Sequence, residues 1–204
     1  MKKIIILISG KQGSGKTTLA KSIRDYFRKE KGWLTKRFRF AQPIYEMHDA
    51  VWKVMNEYGF ERKSIKDGPL LQLLGTEWGR ETIDVDIWVK CCQNSINQHF
   101  KRVKNFNCYE VDGCLITIED ARFENEFEGI NFTLSIRLNA DEKIRRERCE
   151  AWRENIEHRS EIGLDEFDSS NKFDLYIDTG ILSKEESCNT AITALDYILN
   201  PNDL

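Results

Sequence analysis

Apolar residues along the chain form short continuous runs separated by longer stretches with helical spacing. One further segment, 33–40, alternates between apolar and polar residues instead, with Leu34, Phe38 and Phe40 on one face. Short continuous runs of this kind are typical of strands buried on both faces of a parallel sheet, whereas alternation indicates a half-buried strand. We therefore predict five strands, of which four are the continuous runs at 3–9, 114–118, 132–138 and 173–177.

Helical patterns fill the intervals between these strands. The last one opens with Ser183 and Glu186 in the spacing of a capping box. Segment 75–80 is predicted as a connection, and the whole of 41–105 as helical without a strand. Strands joined by helical crossovers indicate an α/β fold with a parallel sheet. The predicted helices cover 16–29, the segment opened by Pro43, 70–74, 87–104, 141–155 and the segment after Ser183.

Length and composition narrow the class of protein. A chain of 204 residues predicts one domain, 1–204, and its net charge of −3 gives no basic surface for a nucleic acid. The apolar start ends at Ser9, too early for a secretion signal, and no apolar stretch approaches the roughly 20 residues of a membrane helix. The cysteines form no C-x-x-C pair, which favours reduced thiols. We expect a cytoplasmic protein with no membrane partner.

A phosphate-binding motif follows the first strand. Residues 10–17 read Gly-Lys-Gln-Gly-Ser-Gly-Lys-Thr, between a buried strand and a helix. In this motif backbone N–H groups surround the phosphates, Lys16 reaches the β and γ oxygens, and Thr17 offers a hydroxyl to Mg²⁺. No guanine-reading N-K-x-D stretch is present, which favours ATP over GTP. The predicted ATP-binding residues are Lys11, Gly13, Ser14, Gly15, Lys16, Thr17 and Thr18.

Charged residues further along the chain suggest a second phosphate site. Asp120 ends a buried strand, at the edge where open α/β sheets bind ligands. It could hold Mg²⁺ through water, contact the substrate or cap the next helix, and Arg122 would face the same crevice. Arg145 and Arg148 share one helix face and could clamp the transferring phosphoryl group, although a solvated helix rich in glutamate is the alternative.

Several segments together resemble the phage-type deoxynucleoside monophosphate kinases, a family of P-loop kinases. The resemblance extends over nearly the whole chain. Its most specific parts are Leu-Leu-Gly-Thr-Glu-Trp-Gly-Arg, which ends at Arg80, and Asp-x-Arg-Phe-Glu-Asn-Glu, which begins at Asp120. The segments that carry the resemblance are 9–18, 66–80, 120–126 and 158–161.

This resemblance implies a three-layer P-loop kinase fold with a helical monophosphate-binding segment at 41–105 and a lid at 141–163. The implied reaction is ATP + dNMP → ADP + dNDP with Mg²⁺, on a small nucleotide in the host cytoplasm. Arg80 would hold the acceptor phosphate, and Arg122 would face the acceptor or transferred phosphate. Further candidates near the base or sugar are Tyr45, Gln72 and Trp88. Homodimer formation through the middle helices stays open.

Two other readings have the same phosphate loop. A small-metabolite kinase, such as one acting on dephospho-coenzyme A, would look the same at this level and differ only in its acceptor. An ATP-driven switch or nucleic-acid motor would need a basic surface and an arginine finger in trans, which the composition does not support. Because an acceptor phosphate is already ionised, transfer to it requires positioning and charge neutralisation rather than a general base.

Overall fold

A five-stranded sheet is the central feature of the computed structural model, which describes residues 1–62, 66–105, 111–149, 163–164, 170 and 172–201. The strands lie in the spatial order β2-β3-β1-β4-β5 and are all parallel. The predicted α/β class with five parallel strands is therefore confirmed. In chain order the strands are β1 (Lys2–Gly10), β2 (Leu34–Phe38), β3 (Gly113–Ile118), β4 (Leu134–Asn139) and β5 (Leu175–Asp178).

Helices connect the strands, and the sequence explains the ends of two of them, α1 (Lys16–Lys29) and α7 (Lys184–Leu199). Helix α1 has the predicted bounds and ends with Arg28 and Lys29, whose charges suit its C-terminus. Before α7, the Ser183 hydroxyl accepts from Glu186 N, and the Glu186 carboxylate accepts from Ser183 N, which confirms the capping box. The described helices are α1 (Lys16–Lys29), α2 (Gln42–Glu57), α3 (Gly68–Gln72), a π-helix (Leu73–Ile83), α4 (Ile87–Asn105), α5 (Glu124–Glu128), α6 (Glu142–Glu147) and α7 (Lys184–Leu199).

The chain divides into two compact units. The sheet unit comprises Met1–Arg37 and Asn107–Leu204, and the helical unit comprises Phe38–Phe106. The helical unit contains α2, α3, the π-helix and α4, and it includes the 41–105 segment for which the family resemblance implies monophosphate binding. None of the helices in the described part of the chain is both long and apolar enough to cross a bilayer.

The core of the sheet unit forms around β1. Its residues Ile6, Leu7 and Ile8 are fully buried, as expected for a strand covered on both faces, and Ile6 and Ile8 share one core cluster with Ile23 and Phe27 of α1. Strand register then aligns the carboxyl ends of the strands: β1 ends beside β4, and β4 ends beside β5. In open α/β sheets this edge is where ligands bind.

Two predicted segments differ from the structure. Segment 75–80 is not a connection but part of the π-helix, and the Trp88 indole donates to Gly75 O of that helix at 2.7 Å. Helix α6 ends at Glu147 rather than near Asn155, because Cys149 N bonds back to Arg146 O at 3.2 Å in a tightened last turn. The rest of the predicted lid, including the 158–161 segment, lies outside the described residues apart from position 163.

Candidate functional site

The phosphate loop has a backbone that only glycine adopts easily. Gly13 and Gly15 have φ angles of 78° and 88°, in the left-handed region that L side chains disfavour. Gly13 has a second constraint, because a Cβ there would overlap the backbone of Arg145. Gly13 and Gly15 are therefore required by conformation, and Gly13 also by close packing.

The Lys16 side chain lies over this loop. Its ammonium group donates to Gly10 O at 2.5 Å and to Lys11 O at 2.9 Å. Thr17 and Thr18 are exposed in the first turn of α1, which starts directly after Gly15. The loop, the lysine and the helix N-terminus thus have the arrangement that binds a chain of phosphates.

Arg145 fixes the loop from α6. Its Nη1 donates to Gln12 O at 3.1 Å and its Nε donates to Ala140 O at 3.1 Å. The Gln12 side chain in turn donates to Cys149 Sγ at 3.1 Å. The structure therefore brings Arg145, a predicted catalytic residue, to the backbone of the phosphate loop.

Arg148 reaches the same loop indirectly, through Thr179. Its Nη2 donates to Thr179 O at 2.8 Å and its Nη1 to Thr179 Oγ1 at 3.2 Å. The Thr179 hydroxyl is 3.0 Å from Ser14 O, to which it donates. Thr179 follows β5 at the carboxyl edge of the sheet, and it is not among the residues predicted from the sequence.

Asp120 and Arg122 follow β3 at the carboxyl edge of the sheet. Both residues are half-buried. The backbone N–H groups of Arg122 and Phe123 donate to one carboxylate oxygen of the buried Glu126, at 2.6 and 3.1 Å. Glu126 therefore fixes the main chain at Arg122, from which the arginine side chain extends.

A buried charge cluster precedes Asp120. The Glu119 side chain is 3% exposed and forms ion pairs with Arg37 of β2 and, at 3.5 Å, with Arg24 of α1. Burial lowers the pKa of Arg24, and the Glu119 carboxylate opposes that shift. The cluster connects β2, β3 and α1 beside the candidate Mg²⁺ residue. Its sequence signal was a second carboxylate directly before Asp120.

A buried arginine links three segments at the same edge. Arg137 of β4 is 4% exposed and its Nη1 donates to Ser9 Oγ at 3.1 Å. Ser9 Oγ donates in turn to Ala121 O at 3.0 Å. This chain of bonds fixes the end of β1, just before the phosphate loop, relative to the segment after β3. A charged residue inside an otherwise apolar strand was the signal for it.

In the helical unit, Arg80 lies on the π-helix. Its Nη1 is 3.4 Å from Val85 O, and the side chain is half-buried. Trp88 is only 2% exposed, and its indole N–H donates to Gly75 O at 2.7 Å. Trp88 therefore packs and holds the π-helix that carries Arg80, while Gln72 is exposed just before that helix.

Tyr45 lies near two cations of the helical unit. The Arg39 guanidinium lies 5.8 Å from the centre of its ring, and the Lys66 ammonium lies 5.6 Å from it. Both distances are within the range of cation–π attraction. The surroundings of this predicted substrate residue are thus positively charged.

Comparison with known proteins adds little to this picture. No protein-family model and no curated protein matches the chain. Among solved structures it is similar to TT1252 from Thermus thermophilus, with 18% identity, a TM-score of 0.49, and 98% of this chain and 99% of that chain covered. An unliganded sugar kinase from Janibacter sp. HTCC2649 has 14% identity and a TM-score of 0.43 over 96% of this chain and 95% of its own. An uncharacterized protein from Eubacterium ventriosum ATCC 27560 has 15% identity and a TM-score of 0.40 over 95% and 98% of the two chains.

Proposed function

We propose that this chain is a kinase that transfers the γ-phosphoryl group of ATP to a deoxynucleoside monophosphate, giving ADP and a deoxynucleoside diphosphate. The observation that supports it most is the phosphate loop. Its glycines have left-handed backbone, and Lys16 lies over its carbonyl groups at 2.5 and 2.9 Å. Such a loop at the N-terminus of a long helix binds the phosphates of a nucleotide.

The donor site uses the loop in three ways. Its backbone N–H groups would bind the β-phosphate, and the N-terminus of α1 adds its partial positive charge. Lys16 would exchange its bonds to Gly10 O and Lys11 O for the β and γ oxygens of ATP. These contacts neutralise the negative charge on the leaving group and on the transferred group.

Magnesium would enter this site with the nucleotide. No group of three or more His, Cys, Asp or Glu side chains in the described residues is arranged to hold a metal ion. Mg²⁺ in kinases is commonly held by one or two protein oxygens together with phosphates and water. The exposed Thr17 hydroxyl and the half-buried Asp120 carboxylate suit that role, and the ion would supply charge neutralisation between phosphates.

The acceptor site rests on the arginines. By the family resemblance, Arg80 would bind the phosphate of the monophosphate and Arg122 the acceptor or transferred phosphate. The positive surroundings of Tyr45 are compatible with an anionic substrate in the helical unit. Arg145 and Arg148 remain candidates for the transferred phosphoryl group, since a guanidinium has five N–H donors and can bind a carbonyl and a phosphate together.

The reaction is tested with an acceptor panel. The chain would be incubated with Mg²⁺ and γ-labelled ATP, with each of the deoxynucleoside and ribonucleoside monophosphates and with dephospho-coenzyme A. We expect label in at least one deoxynucleoside diphosphate. Label only in the dephospho-coenzyme A product would favour the small-metabolite kinase, and label only in inorganic phosphate would favour an ATPase or switch. Lys16→Ala protein is the control for contaminating kinases.

A further inference from the structure

We propose that Thr179 is a positioning residue of the phosphate loop, which orients the Gly15 N–H toward the nucleotide from outside the motif. This inference rests on the proposed use of the loop as the donor site. Thr179 lies in the segment between β5 and α7, remote in sequence from the loop. Its hydroxyl is 3.0 Å from Ser14 O.

The geometry of the peptide bond gives this contact its consequence. In a trans peptide the C=O and the following N–H lie in one plane and point in opposite directions, and the described chain has no cis peptide bond. The Ser14 carbonyl and the Gly15 N–H belong to one peptide unit. A hydroxyl that holds Ser14 O therefore directs the Gly15 N–H away from Thr179.

Gly15 needs such an outside contact more than an ordinary residue would. Rotation of the Ser14–Gly15 peptide changes the φ of Gly15, which is 88° and which glycine can vary over both positive and negative values, and no atom lies within 4 Å of the position that a Cβ would occupy. Side-chain packing on Gly15 therefore does not fix its peptide plane. The bond from Thr179 limits rotation of the Ser14–Gly15 peptide, so that less ordering remains to occur when the nucleotide binds.

Thr179 is itself held in place on two sides. Its backbone N–H donates to Asn139 O at 2.8 Å, which ties it to the end of β4. Arg148 donates to its carbonyl at 2.8 Å and to its hydroxyl oxygen at 3.2 Å. Because Arg148 Nη1 occupies a lone pair of the hydroxyl, the single hydroxyl hydrogen is directed toward its acceptor carbonyls, Ser14 O at 3.0 Å and Asn139 O at 3.2 Å.

The same principle applies to a second peptide of the loop. Arg145 donates to Gln12 O at 3.1 Å, and Gln12 O shares a peptide unit with the Gly13 N–H. Two loop amides thus have orientations set by side chains that approach from the carboxyl edge of other strands. Arg145 is already assigned to the site, so Thr179 is the position where orientation can be tested without changing a charge.

The test compares three variants of the full-length chain. Thr179→Val removes the hydroxyl and keeps the side-chain shape, and Thr179→Ser restores a hydroxyl. Thr190→Val is the matched control, because Thr190 is another half-buried threonine whose hydroxyl donates to a backbone carbonyl, Glu186 O at 2.9 Å. The measurements are the Kd of Mg·ATP by calorimetry, the KM for the acceptor, thermal unfolding, and the ¹H–¹⁵N resonance of Gly15 with and without nucleotide.

For Thr179→Val we expect a three- to tenfold weaker Kd for Mg·ATP, the loss expected from one hydrogen bond of about 1 kcal/mol. The acceptor KM should stay within about twofold, and Thr179→Ser should recover most of the affinity. The Gly15 resonance should shift on nucleotide addition in wild type and much less in Thr179→Val. Thr190→Val should leave Kd and the Gly15 resonance unchanged.

Two outcomes would overturn the inference, and they are distinguishable. If Thr179→Val binds Mg·ATP as wild type does, or loses only thermal stability as Thr190→Val does, Thr179 does not orient the loop. If the wild-type chain binds no Mg·ATP at all, the proposed donor site is wrong and this inference falls with it.

Discussion

The phosphate loop and the π-helix both depend on glycines, but for different physical reasons. In the loop, Gly13 and Gly15 adopt left-handed φ angles. In the π-helix, Gly75 and Gly79 instead admit neighbouring side chains: a Cβ on Gly75 would lie 3.2 Å from the Ile44 side chain, and one on Gly79 would overlap the Trp88 ring. The first region needs glycine for its backbone conformation, and at Gly13 also for packing, whereas the second needs it for packing.

The conformation of the loop therefore depends on neighbouring residues in the sequence, whereas that of the π-helix depends on tertiary contacts. The loop conformation is encoded by a short motif after a buried strand. The π-helix depends on Trp88, whose indole N–H bonds to Gly75 O at 2.7 Å, and on Asp84 N, which bonds to Gly79 O at 3.0 Å across a wide turn. A π-helix is rare and often marks a functional segment. In this chain it carries Arg80.

Removal of the loop lysine should have the largest effect. Lys16→Ala deletes the ammonium group that would bind the β and γ oxygens, and we expect turnover to fall at least about 100-fold, as when a transition-state donor is removed. Thermal stability should change little, because Lys16 is half-buried and its described bonds are to loop carbonyls. Steady-state kinetics and calorimetric melting would measure both, and retention of most activity would contradict the donor assignment.

Substitution of glycine by alanine should distinguish the two kinds of glycine. Gly79→Ala places a methyl group into the Trp88 ring and 2.8 Å from Leu74 O, which should cost about 3 kcal/mol of unfolding free energy. Gly15→Ala meets no atom within 4 Å, so only its φ of 88° is penalised, by about 1 kcal/mol. Urea unfolding of both variants tests the order. Equal losses would mean that packing and backbone strain are not separable in this way.

The indole bond of Trp88 can be removed with the aromatic packing largely kept. Trp88→Phe loses the donor to Gly75 O at 2.7 Å, and we expect about 1–3 kcal/mol lower stability. If the bond also positions Arg80, the KM for the monophosphate should rise while the KM for ATP stays constant. An unchanged acceptor KM in a folded Trp88→Phe protein would limit Trp88 to packing.

The smallest expected effect concerns pH at the end of the π-helix. The Lys90 ammonium, followed by the Asp86 N–H at 2.8 Å, lowers the pKa of Asp84. The Asp84 contribution to stability is therefore full above its unfolded pKa of about 3.9 and is lost as the pH falls through its lower folded value. The pKa of Lys90 is raised, so its contribution is lost only above about pH 10.

Urea unfolding at pH 6 and pH 3 would detect this dependence. The stability difference between wild type and Asp84→Asn should shrink at pH 3. The difference between wild type and Thr179→Val should not, because the bond from Thr179 to Ser14 O involves no carboxylate. A Thr179→Val difference that changes equally with pH would show that acid acts on the whole chain and not on the π-helix.

Sequence patterns predicted the strands and the phosphate loop because each is encoded by residues that lie close together in the chain. Strand β1 is a continuous apolar run, helix α1 has the predicted bounds, and the glycines of the loop have the backbone that the motif requires. Segment 75–80 of the π-helix was predicted as a connection, since nothing within it indicates that the Trp88 indole will bond to its backbone. Helix α6 was predicted too long because the pattern does not show its tightened end at Cys149.

The candidate site shows the same limit. Lys16, Arg145 and Arg148 were selected from motif and spacing, and the structure places all three at the loop or at Thr179. Thr179 and Glu119 were missed. Both are single residues just after a strand, and only the strand register brings them to the same edge as the loop.

The central proposal is that the phosphate loop binds the phosphate donor and that Arg80 binds the acceptor. The most direct test is an initial-velocity study of wild type, Thr179→Val and Arg80→Ala, with ATP and the accepted deoxynucleoside monophosphate varied in turn. We expect Thr179→Val to raise the KM for ATP alone and Arg80→Ala to raise the KM for the monophosphate, with ATP binding nearly intact. An equal loss of ATP affinity in Arg80→Ala would contradict the assignment.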